Sequence, residues 1–216
     1  MALSKIDVAN MLTGTTPVAN GGTGVTTSAA LANTGNLVLL HTTDVTSNTS
    51  VVDIDGHFSS DYKNYLMLVS NVQTATDNKA LLFRANVGGS AQTGTIYGTA
   101  GRYTRVTSGG TKSDGSLGTW NNYSTQYFSW VNSLNDGSDG DGFSATVYIH
   151  EPLDTTRFKK IQYTNDYLGS DSGNTYVVQE TQGVMVRTLS ALSGLRFYLD
   201  SSANISNGNF KLYGIK

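Results

Sequence analysis

Three stretches of this chain alternate apolar and polar residues with a period of two, a pattern that a half-buried strand requires and a helix cannot use. Leu81, Phe83, Ala85 and Val87 fall on one face, with Arg84 and Asn86 on the other. Phe143, Ala145, Val147 and Ile149 oppose Ser144, Thr146, Tyr148 and His150, and Leu195, Phe197 and Leu199 oppose Arg196, Tyr198 and Asp200. Each strand thus has one dry and one wet face, as in antiparallel sheets stacked into a sandwich. Helix-favouring charge is scarce: only 14% of residues are charged, and glutamate occurs only as Glu151 and Glu180. Further strands are expected at 37–42, 50–54, 64–72, 96–98, 102–107, 125–131, 158–164, 175–181, 183–189 and 210–215, separated by Asp/Ser/Asn/Gly clusters. A spacing of about ten residues with no long helix points to an all-β, antiparallel β-sandwich of jelly-roll type.

Residues 1–36 differ from the rest: small residues dominate and aromatics are absent. Residues 4–12 suit a short helix capped by Ser4, and 28–33 another turn, but helices under about 12 residues are marginal alone. Between them, Gly14-Thr15-Thr16-Pro17-Val18-Ala19-Asn20-Gly21-Gly22-Thr23-Gly24 can neither continue a helix nor fill the centre of a sheet. The chain accordingly reads as an N-terminal attachment segment, 1–36, and a β-sandwich head, 37–216. Within the head, the Gly/Ser-rich stretches 108–119 and 135–142 are longer than most hairpin connections.

The run 13–24, followed by small residues through Ala32, resembles the "GT-x-PVANGGTG" element of tail-fibre and other surface proteins of tailed bacteriophages, with Thr16 where many members carry leucine. The end of the chain, Gly194-Leu195-Arg196-Phe197-Tyr198-Leu199 and Asn204 to Lys216 with its Leu212-Tyr213-Gly214-Ile215, resembles the close of phage virion proteins that finish in a β-sandwich. It reads as a strand, a turn on Asn207-Gly208, and a closing strand. The resemblance implies a structural, non-enzymatic tail fibre, head fibre or decoration protein on the virion surface. It further implies a homotrimer whose N-terminus binds other virion proteins. A stalk with no core of its own gains order by burying Leu3, Ile6, Val8, Leu12, Val18 and Leu31 against other copies, with Pro17, Gly21, Gly22 and Gly24 shaping the backbone.

Other classes lack local support. There is no cysteine, so disulfides and thiolate metal sites are excluded. Net charge is −2 without a basic run, so no nucleic-acid footprint is expected. No apolar run approaches the ~20 residues of a membrane span, and the N-terminus lacks a signal pattern, so synthesis in the host cytoplasm without membrane insertion is expected. Gly-x-Ser-x-Gly, Walker and His-Glu-x-x-His motifs are absent.

Asp136, Asp139 and Asp141 form a weak calcium candidate, but EF-hand spacing fails at the first and last ligand positions and a solvated acidic turn explains them; no metal or cofactor is expected. Asp53, Asp55 and His57 make a second small cluster, and His150, Glu151 and Asp154 flank Pro152 as turn residues. For a host-surface glycan, candidate platforms and hydrogen-bonding groups are Tyr97, Arg102, Tyr103, Trp120, Asn121, Asn122, Tyr123 and Tyr167, because aromatic faces stack on the apolar side of a sugar ring. Trp120–Tyr123 follows a long loop and reads as an exposed tip, whereas Trp130 reads as core. Alternatives are a particle-borne glycan depolymerase, using Asp53, Asp55 or Asp139, and a free carbohydrate-binding module.

Overall fold

The computed structural model describes residues 36–107, 118–134, 142–171 and 174–216. The helices expected at 4–12 and 28–33, the stalk residues and most of the two long loops lie outside them. Residues Leu39–Lys216 form one compact unit. Thirteen described strands occur in chain order: β1 (Leu37–Val45), β2 (Val51–Asp55), β3 (Asn64–Thr74), β4 (Lys79–Val87), β5 (Ser90–Ala91), β6 (Tyr97–Thr107), β7 (Gly118–Thr125), β8 (Phe128–Leu134), β9 (Phe143–His150), β10 (Lys159–Asp171), β11 (Asn174–Val186), β12 (Gly194–Leu199) and β13 (Ile205–Ile215).

They form an eight-stranded sheet, β1-β13-β3-β9-β10-β11-β6-β7, and a smaller sheet, β2-β12-β4, in which β5 and β8 both pair with β4. Every strand pairing with a defined register is antiparallel. With the inserted β5–β7 and β10–β11 set aside, the remaining strands fall into two faces, β1-β13-β3-β9 and β2-β12-β4-β8. That is the order of two Greek keys, a jelly roll. The insertions widen mainly the larger sheet, which β10, β11, β6 and β7 continue, while the two-residue β5 adds only a short pairing to β4; the chain then crosses from β7 into β8 of the smaller sheet.

The two sheets meet on aromatics. Trp130 of β8 stacks on Phe197 of β12 at 5.1 Å between ring centroids, and across the sandwich it meets Phe143 of β9 at 5.1 Å and Tyr163 of β10 at 5.6 Å. Phe197 in turn packs on Phe210 of β13 at 5.3 Å. Trp130 is 1% exposed, as expected from its place in an apolar run. The alternation read in β9 and β12 is observed directly, with every inward residue buried. In β4 the outward Asn86 is also buried, and its side-chain amide donates to Asp53 Oδ1 at 3.2 Å.

Four expectations on strand limits are corrected. The segments 96–98 and 102–107 are one strand, β6, and 175–181 and 183–189 are one strand, β11, ending at Val186. The residues left between those segments stay in the ladder: Gly101 pairs with Gln182, Gln182 also pairs with Tyr163, and Gly183, the expected start of a second strand, pairs with both Gln162 and Ala100. The strand expected at 125–131 is two, because Thr125 pairs with Tyr97 in the larger sheet whereas Phe128 pairs with Phe83 in the smaller. Asn207-Gly208 makes no hairpin turn. β13 runs through it with register shifts against β3, and the reversal falls earlier, at the 3-10 turn Asp200–Ser202, where Ser201 and Ser202 take φ of 54° and 57°.

Candidate functional site

The widened sheet has a solvent face that strand parity alone would leave flat. Register sets Tyr148, Gln162, Gly183 and Ala100 in one row across β9, β10, β11 and β6. On one side lies the row Thr146, Thr164, Thr181 and Arg102, and on the other His150, Lys160, Met185 and Gly98. Alternate residues along the same strands, Ile161, Tyr163, Val184 and Gln182, point into the sandwich and are buried. Where Gly98, Ala100 and Gly183 meet, almost no side chain stands above the pleat, and the backbone is left as a floor.

The result is a trough of two adjoining depressions, of about 320 and 440 Å³, sharing Ala100, Gln162 and Gly183. Tyr148, 44% exposed, stands at one flank, with Thr146, Thr164 and Thr181 along the same half. Met185, Lys160 and Arg187 line the other half. The Gln162 amide is oriented by His150, whose Nε2 lies 3.2 Å from Gln162 Oε1 while Nδ1 lies 3.3 Å from Asn64 Oδ1. An aromatic face beside a bare floor and a row of hydroxyls and amides matches the two sides of a sugar ring.

The residues singled out from sequence do not form one surface. Tyr97 is fully buried, its hydroxyl accepting from Ala85 N–H and donating to Gln92 O, each at 2.9 Å. Burial pushes that phenol up to about 12. A Tyr97 ring so enclosed cannot stack on a ligand. Tyr167 is buried as well, donating to Glu180 Oε1 at 3.4 Å in an interior network where Asn165 and Gln182 amides donate to Glu180 Oε2 at 3.3 and 3.1 Å. Tyr103 shares the inner face and packs against the core. Arg102 alone of these four faces solvent, opposite Thr181 and outside the lining of the trough.

Trp120, Asn121, Asn122 and Tyr123 lie within β7 rather than on a loop tip, with Trp120 opposite Gly101 and Tyr123 opposite Gly98; their side chains lie outside the described residues. Asp136, Asp139 and Asp141 lie outside the described residues, and among the described ones no group of three metal-ligating side chains comes together. Asp53 is held by Arg196, its two oxygens receiving Nε and Nη2 at 2.8 and 2.7 Å, so its carboxyl sits below the usual range. Asp55 accepts from Ser193 Oγ at 2.7 Å, and His57 stacks on His41 with centroids 4.0 Å apart. Asp154 caps a turn, accepting from the backbone N–H of Thr156 and Arg157 at 2.6 and 3.1 Å.

Sequence reasoning missed most of the trough. Tyr148 was legible as an outward aromatic, but Gln162, Lys160 and Gly183 carry no local signal, because only cross-strand register brings them beside it.

No family model matches the chain, and neither a curated protein nor a solved structure matches it.

Proposed function

We propose that this chain is a binding protein displayed on a particle, with a jelly-roll head that presents its trough to a saccharide. More particularly, it is a structural protein of a tailed-bacteriophage virion, a tail fibre or a capsid-attached fibre or decoration protein. Its head adheres to host-surface glycan without cleaving it, and residues 1–36 mount it as a homotrimer on other virion proteins.

The observation that carries the binding role is the trough: a bare glycine and alanine floor flanked by an exposed Tyr148, three threonines and Gln162. Support for the virion setting comes from the two terminal sequence elements, of which the C-terminal one forms β12 and β13. The aspartates considered for hydrolysis on β2 are tied into structural contacts with Arg196 and Ser193, which favours adhesion over cleavage.

Gly183 supplies the test. A Cβ built there meets nothing closer than the Ala100 carbonyl oxygen at 3.9 Å, so Gly183→Val fills the floor without disturbing the sandwich. On a glycan array the parent protein is expected to bind at least one host-type saccharide, and the Val variant to lose that signal while unfolding at the parent temperature or above. Absence of binding to every saccharide, or equal binding by the variant, overturns the adhesion role.

A further inference from the structure

The row that floors the trough runs on past it. Gln162 pairs with Gly183 on one side and with Tyr148 on the other, Tyr148 pairs with Leu66 of β3, and Leu66 pairs with Tyr213 of β13. With Ala100 opposite Gly183, six strands place one residue each in a single line across the solvent face. Tyr213 alternates with the buried Leu212 and Gly214 and is itself part-exposed, which puts its side chain on the same face as Tyr148. Leu66, 8% exposed, lies low between the two tyrosines. The other eight aromatics on these six strands belong to the core or pack against it. The two that face outward thus fall in one row, and it is the row of the bare floor.

We propose that Tyr213 is a second stacking platform of the same site, and that the ligand is an internal stretch of a linear polysaccharide laid across the strands rather than a single terminal sugar. The inference rests on the trough being a saccharide site and adds the form of the saccharide. Tyr148 and Tyr213 stand two strand spacings apart, about 10 Å. A pyranose ring is comparable in length to one spacing, so successive rings of an extended chain come to lie over Tyr148, Leu66 and Tyr213 while the preceding ones occupy the floor. Stacking needs an aromatic face, and along its own strand Tyr148 is flanked instead by Thr146 and His150. Among the described residues, the cross-strand direction alone offers the chain a second platform.

The experiment titrates full-length protein, by isothermal calorimetry, with size ladders of linear gluco-, galacto-, manno- and chito-oligosaccharides from disaccharide to octasaccharide. In at least one ladder affinity should rise with length and level off once the chain spans the row. Tyr213→Ala should remove that rise, weakening the longest members about three- to tenfold. The shortest members that bind should keep the parental affinity, which also shows that the variant is folded, and Tyr213→Phe should retain the rise. Affinity independent of length, with Gly183→Val abolishing binding at every length, overturns the second platform and leaves the trough standing. A rise that survives Tyr213→Ala, or a loss by that variant of short and long members alike, overturns the inference. No binding by any member overturns both.

Discussion

Gly101 and Gly183 are near neighbours on paired strands, and the structure assigns them opposite responses to one added methyl group. Gly101 faces inward: a Cβ there would overlap the Gln182 side chain and come within 2.6 Å of the Thr181 carbonyl oxygen and 2.8 Å of Gln182 Cα. Two of those three atoms are backbone of the paired strand, so relief requires β6 and β11 to part. Overpacking of that kind costs about 2–3 kcal/mol. For a chain of this size it lowers Tm by about 4–12 °C. Gly183 faces the trough, and its Cβ reaches only ordinary contact with Ala100 O at 3.9 Å. Replacing a strand-interior glycine by alanine there recovers about 0.5–1 kcal/mol of chain entropy and raises Tm by about 1–4 °C. Far-UV circular dichroism during heating, with urea titration to confirm an unchanged m value, measures both variants on the same day. Equal stabilities, or Gly101→Ala melting at or above the parent, would refute the assignment of the inner and outer faces from which the trough is built.

Other consequences are more local. Asp53 links three strands of the smaller sheet through Arg196 and Asn86, and the pair is about one-third exposed, so Asp53→Asn should cost about 0.5–1 kcal/mol and lower Tm by about 1–4 °C in thermal melts at pH 7. Because Arg196 holds that carboxyl low, its contribution is present above about pH 4 and fades as pH falls through the folded value, and the Asn variant should lose less stability than the parent over that window. His57 behaves with the same sign for a different reason. Burial first, then the neighbouring His41 on β1, disfavour its charged form against the opposing pull of Asp55. Stability should therefore decline as pH falls from about 6.5, where the unfolded chain begins to take up the proton. His57→Asn should flatten the slope of Tm between about pH 7 and 5, and an unchanged slope would count against the stacked pair as its source.

Fold class was legible in the sequence because strand parity is a local property. In β9 and β12 each inward residue declares itself by its neighbours two positions away, and nothing distant is needed to read it. Gly101 fell in a gap between expected strands because a glycine offers no side chain to pack, yet here it is demanded by close backbone approach, while Gly183, expected to start a strand, sits in mid-strand at an open surface. The boundary between β7 and β8 was hidden because Thr125 and Phe128 are both good strand residues, and only the change of partner strand divides them. Tyr97 and Tyr148 show why the site was harder than the fold. Both are tyrosines on strands among small or polar residues, yet pairing turns one into the core and the other onto the trough. The trough itself joins four strands drawn from 146–187 and 98–100, so no window of sequence contains it.

The central claim, a head mounted in threes by residues 1–36, is met most directly by the mass of the full-length protein in solution by multi-angle light scattering. Three times the 23.0 kDa of one chain is the value expected. A single-chain mass across the working concentration range would contradict the trimeric virion reading and leave the trough as the site of a free carbohydrate-binding module.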